Sequence, residues 1–135
     1  MNLVEELLKS DPKNLDKRET RTYKSRNMGK ALGRKEAVDI KLRAVSYDEI
    51  INIKEYITNR DGSINPNKSA EGDVMLCVKS IVDPDLNNED LQRFCGVNDA
   101  VGAAKKLFDT ELLSISRAVM ELSNFSGDTE DIVKN

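Results

Sequence analysis

Ser46 and Glu49 fix the point about which this chain must fold. They stand three residues apart in Arg43-Ala44-Val45-Ser46-Tyr47-Asp48-Glu49, where an alternating run gives way to a helical one. That is the spacing of a capping box. The hydroxyl accepts from one orphan amide of the first helical turn, and the carboxylate returns to another. Before it, Ala37 to Val45 alternates apolar and charged residues. Val38, Ile40 and Leu42 point one way, and Asp39, Lys41 and Arg43 the other. A strand that runs straight into a capped helix implies an α+β chain with its boundary near residue 45.

Upstream, Thr20 to Ser25 carries Thr, Tyr and alternating charge, and is predicted as a second strand. Asn27 to Arg34 holds Gly29 and Gly33 and is expected to turn. Residues 13–45 therefore read as a basic β-hairpin arm with one wet face. An isolated hairpin is marginal in water, so its apolar side must pack on a helix or on a neighbouring subunit. Asn2 to Lys9 is predicted as a short helix, capped by Asn2 and stopped by Asp11-Pro12. Leu3, Val4, Leu7 and Leu8 share one face of it. Two turns are not stable alone, so that face must dock, on its own domain or on another subunit or partner. Lys13 to Lys17 is a polar connector.

The capping box opens a helix over Ser46 to Arg60, with Tyr47, Ile50, Ile51 and Ile57 on one side and Ile53 at its edge. Asp48 and Glu49 complement the positive end of its dipole. Asp61 to Asn67 is loop by composition; its alternating Asp, Ser and Asn resemble half a calcium loop, but its glycine is misplaced for one. Ser69 to Val82 is apolar nearly all round, from Val74 to Val82, and should lie in the middle of a core. Three short helices follow. Asn88 caps Glu89 to Cys95 before Gly96. Asn98 or Asp99 opens Ala100 to Phe108, with Val101, Ala104, Leu107 and Phe108 inward. Asp109 or Thr110 opens Glu111 to Ser123. Leu112, Ile115, Val119 and Leu122 form one stripe on that last helix, and Leu113 with Met120 a second. Either both stripes are core, or one awaits a partner helix. The fold class is mainly α with a small N-terminal β-hairpin: five to six short helices packed as a compact bundle. Residues 46–125 are the helical body, and 126–135 a flexible acidic tail.

Composition narrows the chemistry. The chain has 135 residues and no histidine, which removes the commonest general base and metal ligand. Two cysteines, Cys77 and Cys95, without histidine do not make an ordinary zinc site. They fit free buried thiols, with a disulfide as the minor alternative. No glycine loop suits a phosphate, and no pair of carboxylates stands out. An enzyme is therefore not expected, and no catalytic, cofactor or metal residue is assigned. No apolar run approaches the ~18 residues that span a bilayer, so no membrane partner is expected. The N-terminus does not read as a signal peptide, which makes the cytoplasm the expected compartment.

Charge is unevenly placed. Residues 17 to 43 hold ten Lys/Arg and three Asp/Glu, a net +7, which leaves −10 on the rest of a chain whose total is −3. A basic arm on an acidic body admits nucleic acid as a partner. Against it, only Tyr23 there offers a ring for stacking. A solvated strand face, or an acidic partner, fits better.

The order of features resembles the XkdN-like phage tail assembly chaperones of contractile-tailed phages and prophages of Gram-positive bacteria. The likeness runs through the leucine helix before Asp11-Pro12, the basic turn at Gly29 to Gly33, and Arg43 to Glu49. It continues through Cys77 to Pro84, Leu91 to Val97, Lys105-Lys106-Leu107-Phe108, Glu111 to Leu122 and the Ser-x-x-Ser-Gly at Ser123 to Gly127. The loop 61–69 and the tail beyond Gly127 lie outside it. The resemblance implies one chaperone-like domain over 1–125 that coats the tape measure protein before the tail tube polymerises. It implies action in the host bacterial cytoplasm, absence from the mature virion, self-association into many copies, and the tail tube protein as a further partner. Leu3, Leu7, Leu112, Leu113, Ile115, Val119, Met120 and Leu122 are the candidate partner-binding residues. Ser46 and Glu49 are structural. The competing readings are a nucleic-acid-binding regulator using residues 17–43 and a structural tail component.

Overall fold

The computed structural model describes residues 2–123; the expected acidic tail at 126–135 lies outside the described residues. The elements are α1 (Leu3–Leu8), β1 (Thr20–Ser25), α2 (Arg26–Ala31), β2 (Val38–Arg43), α3 (Tyr47–Ile57), α4 (Pro66–Ser80), β3 (Ile81–Asp83), α5 (Glu89–Cys95), α6 (Ala100–Phe108) and α7 (Glu111–Leu122). The predicted class, mainly helical with a small antiparallel sheet, is what forms.

β1 and β2 pair antiparallel from Thr20 opposite Arg43 to Ser25 opposite Val38. The alternation read in β2 is real: Ile40 and Leu42 are buried while Asp39 and Lys41 are exposed. The sheet differs from the expected hairpin in two respects. First, the connection is a helix rather than a tight turn. Ser25 Oγ accepts from the Met28 amide at 3.0 Å and starts α2. The chain returning from α2 passes directly over Gly29, where an added Cβ would lie 2.1 Å from the Glu36 carbonyl oxygen. That contact, not a turn conformation, explains the glycine.

Second, β3 joins the sheet on the far side of β2, giving the order β1-β2-β3. Ile81 and Val82 were expected to end a helix. Instead α4 stops at Ser80, and these β-branched residues extend along the open edge of β2, with Lys41 opposite Asp83. Val82 is consequently exposed.

The helices follow their caps. Side-chain oxygens of Asn2, Ser46, Asn65, Asn88 and Asp99 each accept from an amide in the first turn that follows. Gly96 ends α5 with φ of 73°, the left-handed conformation that favours glycine there. α3 ends at Ile57 rather than Arg60, because Thr58 bridges Ile64 across the loop that Asp61 closes by accepting from Ser63. α4 starts at Pro66, earlier than expected, since Asn65 is already a cap. Residues 12–16, expected as plain connector, form a 3₁₀ turn capped by Asp11.

One apolar cluster joins sheet and helices. It contains Ile40 and Leu42 from β2, Ile50 from α3, Leu76 and Cys77 from α4, Phe108 from α6, and Leu112, Ile115 and Val119 from α7. Val101, expected to face inward, is exposed, and so is Tyr47, expected on the same side of its helix as Ile50. α1 buries nothing, so among the described residues the docking demanded of its leucine face is not met by its own body.

The joint at residue 46 has the anticipated geometry and an added partner. The Glu49 amide donates to Ser46 Oγ at 3.2 Å, and the Ser46 amide donates to Glu49 Oε1 at 2.9 Å. The Arg43 guanidinium donates to both Glu49 oxygens, at 3.0 and 2.8 Å. These Arg43 bonds outweigh partial burial and, with the Ser46 amide, hold the Glu49 carboxyl down at about 2, from 4.5.

Two outcomes follow. Gly29→Ala must push the returning chain aside, and should lower stability by about 1–3 kcal/mol in denaturant unfolding. Glu49→Gln should cost about 1–2 kcal/mol at neutral pH by losing a charge-assisted pair. A carboxyl with a depressed folded value stabilises above its ordinary pKa and loses that contribution as it protonates. The wild-type advantage over Glu49→Gln should therefore be complete above pH 4.5 and vanish as pH falls towards about 2, measured by denaturant midpoints across pH.

Candidate partner-binding surfaces

The eight apolar residues proposed to meet a partner fall into three groups. Leu112, Ile115 and Val119 are 5%, 0% and 0% exposed and belong to the domain's own core. They are corrected from partner-facing to structural, since the inward stripe of α7 packs on α4 and the sheet. Met120 and Leu122 are half-buried against that core. Leu113, Leu3 and Leu7 stand out at 59%, 75% and 62% exposure. The second stripe of α7 is therefore divided: Leu113 points outward while Met120 lies at a groove edge.

That groove runs between α3, α4 and α7. It has a volume of about 200 Å³ and is lined by Ile50, Ile53, Ile57, Leu76 and Met120, with Asp73 and Ser116 among its few polar walls. Asp73 accepts from the Ser116 hydroxyl at 2.8 Å, which bolts α4 to α7. Gly72 lets α3 come close to α4: an added Cβ there would lie 3.0 Å from Ile57 Cγ2. In the sequence, α3's isoleucines read simply as an inward face. A mid-helix glycine at 72 was the one signal of close helix packing.

A second hollow lies beyond Asp73, lined by Ala70, Val74, Leu112, Leu113 and Lys105, with a volume of about 310 Å³. It adjoins a third, of about 460 Å³, bounded by Lys30, Ala31, Lys105, Lys106 and Leu107. Asp109 touches both. Among the described residues, no ion pair involves Lys30, Lys105 or Lys106.

The basic arm finds part of its acidic partnership within the chain. Glu111, at the start of α7, accepts from the Ser25 hydroxyl and from the Arg26 amide at 2.9 Å. Glu121, near its end, pairs with Arg21 at 3.2 Å, and Lys24 pairs with Asp39 at 3.2 Å. Tyr23, the arm's one aromatic, is half-buried against the core rather than presented for stacking. That burial weakens the nucleic-acid reading.

Cys77 and Cys95 are free and buried. Burial first, and Asp73 second, push the Cys77 thiol up to about 12, so it stays protonated. Its sulfur donates to the Leu112 carbonyl at 3.3 Å. It acts as a small core residue that also ties α4 to α7. Among the described residues no three acidic or thiol side chains gather where they could share a metal ion. No helix among them is long and apolar enough to cross a membrane.

Residues 4–135 match the family model described as phage XkdN-like tail assembly chaperone protein. No curated protein matches the sequence. Among solved structures, the crystal structure of the protein YqbN is similar at a TM-score of 0.56 and 16% identity, over 80% of this chain and 88% of that one. At that identity the likeness concerns the fold alone. With nearly its whole length matched, the chain belongs to the XkdN-like phage tail assembly chaperone family.

Proposed function

We propose that the protein is a non-enzymatic chaperone that binds and coats the tape measure protein in the host bacterial cytoplasm. It acts before the tail tube polymerises and is absent from the finished virion. The observation that supports this reading is the apolar groove between α3, α4 and α7, edged by Met120 and Ile57. A groove of that kind takes the apolar face of an amphipathic helix, read as anchors three and four residues apart. A tape measure is a long helical protein and would offer such faces repeatedly along its length. One groove grips weakly; many copies along one rod bind strongly. The tail tube protein is the second partner this role implies.

Co-expression with the tape measure protein and affinity recovery tests the assignment. Ile57→Gln with Met120→Gln should reduce recovered tape measure severalfold while circular dichroism and melting show a folded chaperone. Undiminished recovery by the folded variant would sink the groove as the binding site. Mass spectrometry of purified tails should find the protein absent; stoichiometric presence would make it a structural component instead.

A further inference from the structure

We propose that the apolar groove is one end of a longer track along the α4/α7 seam, whose occupant is an amphipathic helix with acidic residues confined to its C-terminal end. The inference rests on the tape-measure reading and deepens it. It names the kind of segment recognised and the way round that segment lies.

The three hollows share walls. Asp73 lines both the groove and the hollow beside Leu113. Lys105 and Asp109 line both that hollow and the lysine recess. α7 forms one bank throughout, with Met120 and Ser116 at the groove and Leu112 and Leu113 at the hollow. α4 forms the other, with Gly72 and Leu76 at the groove and Ala70 and Val74 at the hollow. From Met120 back to Leu112 the track follows α7 for about 12 Å, at 1.5 Å per residue. The recess lies beyond that. A bound helix of about four turns, roughly 21 Å, covers the whole length.

The chemistry of the walls changes along the track, and the change sets a register. In the groove the isoleucines of α3 dominate, and Lys54 balances Asp73. In the middle, exposed Leu113 offers a second apolar contact, but Asp73 and Asp109 outnumber Lys105. At the far end Lys30, Lys105 and Lys106 meet Asp109 alone. Among the described residues none of these lysines is in an ion pair. An acidic side chain at mid-track therefore faces two carboxylates, whereas at the far end it faces three ammonium groups. Attraction at one place and repulsion at the other together fix the register. The negative end of the bound helix's dipole adds to the acids when its C-terminus lies over the lysines. α1 of a second copy does not match this pattern. It is six residues long, with Glu5 and Glu6 at its middle.

Fluorescence anisotropy of the full chain with three labelled peptides, each stapled as a helix of about 16 residues, tests the register. All three carry leucines at three- and four-residue spacing. The first has glutamates in its last turn, the second has lysines there, and the third has the glutamates at its middle. In low salt the first should bind about tenfold tighter than either of the others, the sum of a few weak exposed pairs. The difference should close near 1 M salt, where the screening length falls to about 3 Å. Lys105→Glu with Lys106→Glu should reverse the order of the first two peptides, which a misfolded variant would not do. Equal binding of the first peptide and either other in low salt overturns the inference. So does a double variant that keeps the wild-type order.

Recovery of the co-expressed tape measure separates this inference from the reading beneath it. Loss of recovery in both Ile57→Gln with Met120→Gln and Lys105→Glu with Lys106→Glu supports the full track. Loss in the first pair alone overturns the lysine end and leaves the groove standing. Full recovery in both overturns the groove reading itself.

Discussion

The paired hydrogen bonds between Arg43 and Glu49 hold the junction on which every layer converges. Arg43 ends β2 and Glu49 lies in the first turn of α3, so the pair fixes the angle between sheet and helix. Arg43 and the two residues after it carry the other layers. The Arg43 carbonyl accepts from the Ser80 hydroxyl at the end of α4. The Ala44 amide donates to the Glu19 carbonyl at 2.8 Å, beside β1. The Val45 amide donates to the Ser123 hydroxyl at 2.9 Å, just after α7. With side chains only 28% and 22% exposed, neither ion of the pair is well hydrated. Losing one would leave the other partly buried without its partner, which costs more than the pair contributes.

Around that joint the core is built from aliphatic and small side chains. Among the described residues Phe108 is the one fully buried aromatic, and Ala103, Ala104 and Cys77 let α4, α6 and α7 approach closely. Close helices of small residues leave their longer side chains at the margins. Grooves form there because no Trp, and few other aromatics, are available to fill them. Polar bolts then fix the helices where packing alone would let them slide: Ser116 to Asp73, Cys77 to the Leu112 carbonyl, and Asn27 to the Phe108 carbonyl. Among the described residues, no buried side-chain polar atom lacks a partner. A half-satisfied network would have cost more than an apolar core.

Much of this was legible in the sequence wherever the physics is local. Asn2, Ser46, Asn88 and Asp99 each reach the amide three residues ahead, so their caps follow from spacing. β1 was bounded correctly by its residue types, and β2 to within two residues. The remainder depends on residues that the sequence keeps apart. Ser80 meets Arg43 across 37 positions, Ser116 meets Asp73 across 43, and Ser25 meets Glu111 across 86. No periodicity announces such pairs. β3 was missed because Ile81 and Val82 prolong a helical apolar pattern, while the open edge of β2 that claims them is a tertiary fact. The partner-binding stripe was half misjudged for a related reason. Spacing shows that Leu112, Ile115 and Val119 share a face, but not whether that face meets its own chain or another.

The uneven charge has a similar resolution, and it bears on assembly. A net +7 arm beside a −10 remainder looks like a surface for an outside partner. Yet α7 presents Glu111 at one end and Glu121 at the other, and β1 lies along it with Ser25, Arg26 and Arg21 in contact with those acids. The exposed Arg21 pair adds little energy. Its value is in register, since it fixes which way β1 runs along the helix. Internal pairing of this kind takes up Arg21, Lys24 and Arg43 and leaves the other basic side chains of the arm without an acidic partner among the described residues. One place where such charge gathers is the recess bounded by Lys30, Lys105 and Lys106, beside Ala31 and Leu107. Localised charge beside a small apolar patch selects orientation without strong affinity. For the tape-measure coat proposed above, that balance is the useful one. Contacts too weak to persist singly can be ordered by a template, and removed from it one at a time.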